Sequence, residues 1–464
     1  MVTSDILRLS LSELAEKIAA REISPVEALD ACLEQIEAHD GEINAFRVLT
    51  LERARQQASE AHADIAAGDY RGPLHGVPIA VKDLVDMRGE TTPAGSKVLA
   101  DRVAEQDSAV VSRLAAAGAV IVGKTHMPEF AYSPGSNNAH YGPVQNPWNR
   151  ERDTGGSSSG SGAAVAAGMC FGATGSDTGG SIRMPSAFCG LVGIKPTHGL
   201  VSAYGAQTLS WSLDHMGPMT RTARDAALML DAMAGSDPRD SRTRIVPVGD
   251  FARALDEGVE GLRVAKIVDD GWDDDYPTPA VRQGVDAGLE ALAAAGAEIT
   301  EIALPEIRDL NTVNLSILNI EAAAYYEPYL RDRWDDVSEW TRNRLIGAYA
   351  FSPVDFVRAQ QARAVLRARV EEAMGDVDLL ALPGVPHEAP PIGKVEHNGR
   401  YCGPFNALSW PAIVVPVGLG EHGVPVSLQL VGKPWQDAVV LRAAHAVETH
   451  GPWQGRLSPV LTGE

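Results

Sequence analysis

Apolar residues in the first seventy positions recur at the spacing of an amphipathic helix, with Ala28, Leu29, Cys32, Leu33 and Ile36 forming one stripe. Ser24-Pro-Val-Glu27 opens that stripe as a capping box with Pro25 in the first turn, and Ser10-Leu-Ser-Glu13 predicts an earlier helix start of the same kind. Beyond residue 70 the period changes. Val77-Pro-Ile-Ala-Val81 and Ala119-Val-Ile-Val122 are short, continuously apolar runs, and the helical stretch from Ala109 to Ala117 lies between them and stops at Gly118. Helix, glycine, strand is an α/β signature.

A unit of the same kind returns in Leu262-Arg-Val-Ala-Lys-Ile267, a helical stretch from Val281 to Ala295, and Glu298-Ile-Thr-Glu-Ile302. Between the two halves runs a polar, turn-rich connection over residues 235–248. Strand-like runs resume at Asp378-Leu-Leu-Ala-Leu382, Ala412-Ile-Val-Val-Pro416 and Val426-Ser-Leu-Gln-Leu-Val431, after a second helical block from Leu315 to Met374. That block carries Tyr325, Tyr326, Tyr329, Trp334, Trp340 and Tyr349; it either covers a pocket as a lid or packs its own aromatics. Because strand-like segments flank the polar connection on both sides, the pattern predicts one α/β domain over residues 1–464: a helical N-terminal region to about residue 70, a core from 71 to 230, and a large mixed β-sheet covered by helices on both faces.

Composition narrows the function. The 464 residues carry a net charge of −21, and no basic run is present, which argues against a surface built to neutralise phosphates and so against nucleic-acid partners. Four cysteines, Cys32, Cys170, Cys189 and Cys402, lack metal-site or CxxC spacing, so neither zinc nor a disulfide framework is signalled and a reduced compartment is expected. The N-terminus has no basic and then apolar leader, and no stretch approaches the roughly 20 apolar residues of a membrane span; a cytoplasmic protein without a membrane partner is expected.

The candidate chemistry lies in two loops, Thr154-Gly-Gly-Ser-Ser-Ser-Gly-Ser-Gly162 and Gly175-Ser-Asp-Thr-Gly-Gly-Ser-Ile-Arg183, which combine hydroxyls with bare backbone. Acyl transfer needs that combination, a serine that reaches a carbonyl and N–H groups that point at the oxyanion. Gly156-Ser-Ser-Ser-Gly160 matches a nucleophile elbow centred on Ser158, but the preceding segment is polar and proline-interrupted, and His387, His422 and His445 have no distinguishing context. A phosphate cradle lacks the Gly-Lys-Ser/Thr ending. A third reading pairs serine with Lys82, which ends the apolar run 77–81, where burial would depress its pKa and make it a base. A salt bridge from Lys82 to Asp83 or Asp86 is the structural alternative.

The chain resembles the amidase signature family at Gly76-Val-Pro-Ile-Ala-Val-Lys-Asp83, Gly155-Gly-Ser-Ser-Ser-Gly-Ser161, Gly175-Ser-Asp-Thr-Gly-Gly-Ser-Ile-Arg-Met-Pro-Ser186 and Gly190-Leu-Val-Gly-Ile-Lys-Pro-Thr197. Further matches are Ser212-Leu-Asp-His-Met-Gly-Pro-Met-Thr-Arg-Thr222, Pro411-Ala-Ile-Val-Val-Pro-Val-Gly418 and Gly423-Val-Pro-Val-Ser-Leu-Gln-Leu-Val-Gly432; between Arg224 and Asp376 the likeness is faint. The resemblance implies Ser181 as nucleophile, Lys82 as ultimate base and Ser157, after a cis peptide bond, as the bridge between them. It implies an oxyanion hole from the N–H groups of Thr178, Gly179, Gly180 and Ser181, with Asp177 and Arg183 bracing that loop. No metal or organic cofactor is implied. Phe130-Ala-Tyr-Ser133 resembles the family's acyl-pocket wall, which nominates Tyr132 as a substrate-binding residue. Asp153-Thr154, Ser159 and Ser409-Trp410 depart from the usual pattern.

The activity implied is hydrolysis of the carbon–nitrogen bond of a small-molecule amide through an acyl-enzyme, by a stand-alone enzyme; relatives are commonly homodimers. The A subunit of the tRNA-dependent amidotransferases, a glutaminase that passes ammonia to partner subunits, shares the same motifs and is the alternative. Against it, the central region lacks that subunit's Arg/Tyr/Asp-rich glutamine-site segment, and His126-Met-Pro-Glu-Phe130 resembles stand-alone amidases more. A Ser-His-Asp esterase ranks third.

Overall fold

The computed structural model describes residues 3–246, 249–395 and 399–463. Both capping boxes form: Ser10 and Ser24 accept from the backbone three residues on, and Glu13 and Glu27 return the contact, opening helices Leu11–Ala19 and Pro25–Ile43. Leu11, Leu14, Ala15 and Ile18, one face of the first of these, are buried in the main core.

Eleven strands make one sheet: β1 (Phe46–Leu49), β2 (Pro78–Lys82), β3 (Val120–Thr125), β4 (Gly172–Asp177), β5 (Val192–Lys195), β6 (His215–Thr220), β7 (Arg263–Asp269), β8 (Glu298–Ala303), β9 (Leu379–Pro383), β10 (Ala412–Leu419) and β11 (Pro425–Gly432). Across the sheet they run β1-β3-β2-β4-β6-β5-β10-β11-β9-β7-β8. The sheet is mixed: β3, β2 and β4 are parallel, as are β9, β7 and β8, while β6, β5, β10 and β11 join these groups through antiparallel pairs.

Helices cover both faces, and β11 shows how. Side chains alternate across a strand. On one face Val426 and Leu428 lie against Gly284 and Gly288 of the helix Pro279–Ala294, where a β-carbon would come within 2.9 Å of either. On the other, Gln429 accepts from Arg183 of the short helix Arg183–Cys189.

The strand expected over residues 77–81 and ending at Lys82 starts one residue later, at Pro78, and Lys82 is its last residue. The block expected over 315–374 starts earlier and is three helices, Glu306–Asp332, Glu339–Ala348 and Pro353–Met374. Its start is hidden in the sequence because Glu306 to Thr312 is largely polar on its outer side, while Ile307 and Leu310 reach the core. The polar connection after Gly235 is held by ion pairs, Arg239 to Asp237 and Arg242 to Asp240, each 2.8 Å; its last two positions, 247 and 248, lie outside the described residues. Strands on both sides of it join the single sheet.

Candidate active site

β2 and β4 lie side by side and parallel, so their C-terminal ends open at the same edge. Lys82 closes β2, and on β4 the hydroxyls of Thr174 and Ser176 alternate with small residues. Lys82 donates its backbone N–H to Thr174 Oγ1 at 3.1 Å, and its Nζ donates to Ser157 Oγ at 2.8 Å and Ser176 Oγ at 2.9 Å. The side chain is fully buried, and burial lowers its pKa to about 7, against the opposing pull of Asp177 and Asp214. Neither expected acid partner is taken: Asp83 faces Lys124 at 3.6 Å and Asp86 pairs with Arg102 at 2.7 Å.

Ser157 follows a cis Gly156–Ser157 bond. It stands just before the helix Ser159–Ala166, in which Gly160 packs so tightly on the carbonyl of Ala45 and the backbone of His126 that a β-carbon would sit 2.2 Å from the former. The two Ser-rich loops are joined by Ser158 N–H to Ser181 O at 3.2 Å, while no hydrogen bond links the hydroxyls of Ser157 and Ser181. Ser158, the elbow candidate, is fully buried and turns its hydroxyl to the backbone of Ser176, so its oxygen is occupied by β4 and faces no cavity.

Ser181, Thr178 and Gly179 floor a cavity of about 540 Å³. Below the floor, Asp177 receives the N–H of Gly180 at 2.8 Å and of Ile182 at 3.1 Å, and two hydrogen bonds from the guanidinium of Arg183 at 2.9 and 3.0 Å. Burial alone would raise the Asp177 pKa; Arg183 outweighs it and holds the carboxyl well below the usual range. Arg183 is itself fully buried and also donates to Gln429 and Asn406. Both residues therefore brace the loop from beneath, and neither lines the cavity.

One expectation is corrected here. The family resemblance places Gly180 among the oxyanion donors, but its N–H is engaged by Asp177. Glycine is needed there for another reason: φ is +121°, and a β-carbon would come within 2.5 Å of Cys402 Cβ. Among the described residues, the N–H groups of Thr178, Gly179 and Ser181 have no acceptor in the protein.

Tyr132 lines the cavity, with its hydroxyl on Asn319. The rest of the wall has no counterpart among the expected site residues. Asn311, Asn314, Leu315 and Leu318 come from the helix Glu306–Asp332, Trp340 and Arg344 from the next helix, and Trp272 and Arg400 from loops. Arg400 is paired with Asp274 at 2.8 Å; Arg344 stacks over the Tyr132 ring at 3.9 Å and donates to the Tyr132 carbonyl, with no acidic partner among the described residues. Ser176 is likewise absent from the expected set, although two hydroxyls at period two in a small-residue run mark one face of a strand. Among the described residues, no group of three His, Cys, Asp or Glu side chains is placed to hold a metal ion, and no helix is long and apolar enough to cross a membrane.

A model of the Amidase family matches residues 27–441. The chain belongs to the amidase family. It is thus an enzyme of amide-bond hydrolysis, and its eleven-stranded sheet is the amidase signature fold. This amidase is 38% identical over 486 aligned positions to the A subunit of the glutamyl-tRNA(Gln) amidotransferase from Anaeromyxobacter sp. strain K, with 96% of each chain covered. Its structure superposes with a TM-score of 0.91 on a protein solved in a study of a vestigial protein complex and the origins of an s-triazine catabolic enzyme, at 35% identity and with 97% of this chain and 99% of that one covered. It also matches a 6-aminohexanoate cyclic dimer hydrolase complexed with substrate, at TM-score 0.89 and 28% identity, covering 98% and 99% of the two chains.

Proposed function

We propose that this amidase cleaves a small-molecule amide through Ser181, Ser157 and Lys82. The observation that carries the reading is the 2.8 Å bond from a fully buried lysine, with a pKa near 7, to Ser157 beneath the cavity that Ser181 floors. Neutral Lys82 draws a proton through Ser157 from the Ser181 hydroxyl as its oxygen attacks the amide carbonyl. The N–H groups of Thr178, Gly179 and Ser181, free of protein acceptors, receive the oxyanion. Collapse of the tetrahedral adduct returns the proton to the leaving nitrogen, ammonia or an amine departs, and water cleaves the acyl-enzyme by the reverse relay. The Ser157–Ser181 hydroxyl contact closes when substrate docks; such contacts are commonly long in unliganded enzymes.

The cavity supports an amide that also carries a carboxylate. Arg344 is a wall guanidinium without an acidic partner among the described residues, whereas Arg400 has Asp274, and the flanking Tyr132, Trp272 and Trp340 suit a flat or extended apolar portion. Glutamine is a member of that class, and the identity to amidotransferase A subunits over nearly the whole chain favours the second reading, a glutaminase that serves partner subunits, over the stand-alone enzyme expected from His126-Met-Pro-Glu-Phe130. The deciding experiment measures ammonia and amine release from a panel of neutral and carboxylated amides that includes glutamine, with purified protein alone and EDTA present, beside Ser181→Ala. Turnover of several amides, abolished in Ser181→Ala, supports the stand-alone enzyme. Turnover of glutamine alone supports the glutaminase reading. Near-wild-type turnover by Ser181→Ala would overturn the triad.

A further inference from the structure

The helix Glu306–Asp332 does two things at once. Asn314, Leu318 and Glu321 fall at i, i+4 and i+7, one face of the helix. Asn314 and Leu318 line the cavity. Glu321, one turn further on, reaches the turn of residues 209–214: Ser210 Oγ and Ser212 N–H donate to its Oε2 at 2.6 and 3.0 Å, and Ser212 Oγ donates to Oε1 at 2.7 Å. Tyr326, a further turn along, fixes the same segment by donating its hydroxyl to Thr208 O at 2.8 Å.

That turn ends at Asp214. Its carboxylate accepts the N–H groups of Leu209 and Ser210 from within the turn, at 2.9 and 3.1 Å, and the hydroxyl of Thr178 at 2.6 Å. Thr178 supplies the first of the three unengaged N–H groups on the cavity floor, and its carbonyl receives Asn314 Nδ2 at 3.4 Å. The position of Thr178 is thus set from two sides by one helix, directly through Asn314 and through the chain Glu321, Ser210/Ser212, Asp214.

We propose that Glu321 is a positioning residue for the oxyanion loop, so that the helix forming the substrate wall also fixes the donor geometry of Thr178. The inference rests on the serine–lysine reading above. Oxyanion donors act only when held close to their working geometry, within roughly 0.5 Å. A carboxylate that clamps a turn by three hydrogen bonds supplies that constraint without touching substrate. Loss of the clamp lets Asp214 and Thr178 drift together, which weakens stabilisation of the transition state more than binding of the ground state.

The test compares Glu321→Ala, Glu321→Gln and Ser212→Ala with wild type and Ser181→Ala, with active sites titrated by an alkyl fluorophosphonate so that unfolded protein does not count. The expected result is a kcat per titrated site about tenfold to a hundredfold lower in Glu321→Ala, short of the roughly 10²–10³ lost with a whole oxyanion donor. Glu321→Gln, which keeps one acceptor oxygen, and Ser212→Ala, which keeps the helix and its glutamate, are expected to lose less, with KM nearly unchanged in all three. Ser212→Ala and Glu321→Gln carry the test if Glu321→Ala does not fold. Wild-type kcat per site in the variants, whatever their melting temperatures, overturns the proposal, as does a raised KM at unchanged kcat, which would make Glu321 part of the substrate wall alone. Activity persisting in Ser181→Ala would instead overturn the catalytic reading, so the two failures are separable.

Discussion

The floor of the cavity and its helical wall are built on opposite principles. Lys82, Ser157, Asp177 and Arg183 have no exposed surface, and their charges and hydroxyls are spent on one another and on the backbone. The helix Glu339–Ala348, which supplies Trp340 and Arg344 to the wall, and the turn that follows it instead leave large apolar groups in water: Tyr349 is 57% exposed, and Trp340, Ile346 and Phe351 are similarly open. A buried polar network tolerates little, because each lost partner strands another group away from solvent. A half-exposed wall tolerates much. On the proposed reading, reaction type resides in the floor and substrate choice in the wall, and substitutions on the two sides should differ in both kind and size.

The largest effect should follow at the floor from Lys82→Ala, which removes the proposed base: kcat at neutral pH is expected to fall on the order of 10⁴-fold or more while the fold persists, as measured by steady-state turnover beside circular dichroism. Arg183→Met leaves the Asp177 carboxylate buried without its countercharge and should cost about 3–5 kcal/mol of stability in denaturant titration. Acidity should act on the same network. A lysine base is active when neutral, and the Lys82 pKa is lowered to about 7, so kcat/KM should rise with pH through that value, level off above it, and fall about tenfold per unit below it. A flat profile between pH 5 and 8 would break the assignment.

On the wall the effects should be smaller and selective. Arg344→Met should reduce kcat/KM for carboxylated amides by about 1.5–3 kcal/mol, the worth of a hydrogen bond to a charged group, and leave neutral amides unchanged. An equal loss on both classes would place Arg344 with the floor. Tyr349→Ser should change stability by less than about 0.5 kcal/mol and turnover not at all, read by thermal melting and initial rates.

The same division decides what the sequence discloses. Lys82 and the two Ser-rich loops stand out as a lysine at the end of an apolar run beside hydroxyls on bare backbone, but the residue types leave the elbow at Ser158 and a salt-bridged Lys82 open; the choice of Ser181, Ser157 and Lys82 rests on the resemblance to the amidase signature family. The alternation of short apolar runs with helices yields the mixed sheet and seven of its strands, but not β1, β4, β5 or β6; Gly175-Ser-Asp177, expected in a loop, is the end of β4, whose small and hydroxyl residues lack an apolar run. Ser176 escapes because a lone serine in a strand has no signature; only its period with Thr174 marks the shared face. Gly180 is misassigned for a physical reason, since a glycine needed for positive φ against Cys402 looks in sequence like a glycine needed to present its N–H. Glu321, Arg344 and Trp272 come from segments where many residue types satisfy a half-buried helix or loop, so nothing local distinguishes a wall residue from its neighbours.

The bracing of Arg183 has a consequence for the order in which the protein is made. Its guanidinium depends on Asn406 and Gln429, more than two hundred residues further along the chain, and β5, which follows the nucleophile loop, pairs with β10. A ribosome that has delivered residues 1–380 has already released Lys82, Ser157 and Ser181, the three proposed catalytic residues, yet the loop that carries Ser181 lacks its support. Long-range pairings of this kind close late in folding. A polypeptide that stops short of Asn406 and Gln429 is therefore expected to hold the proposed reactive groups while the Ser181 loop is unsupported.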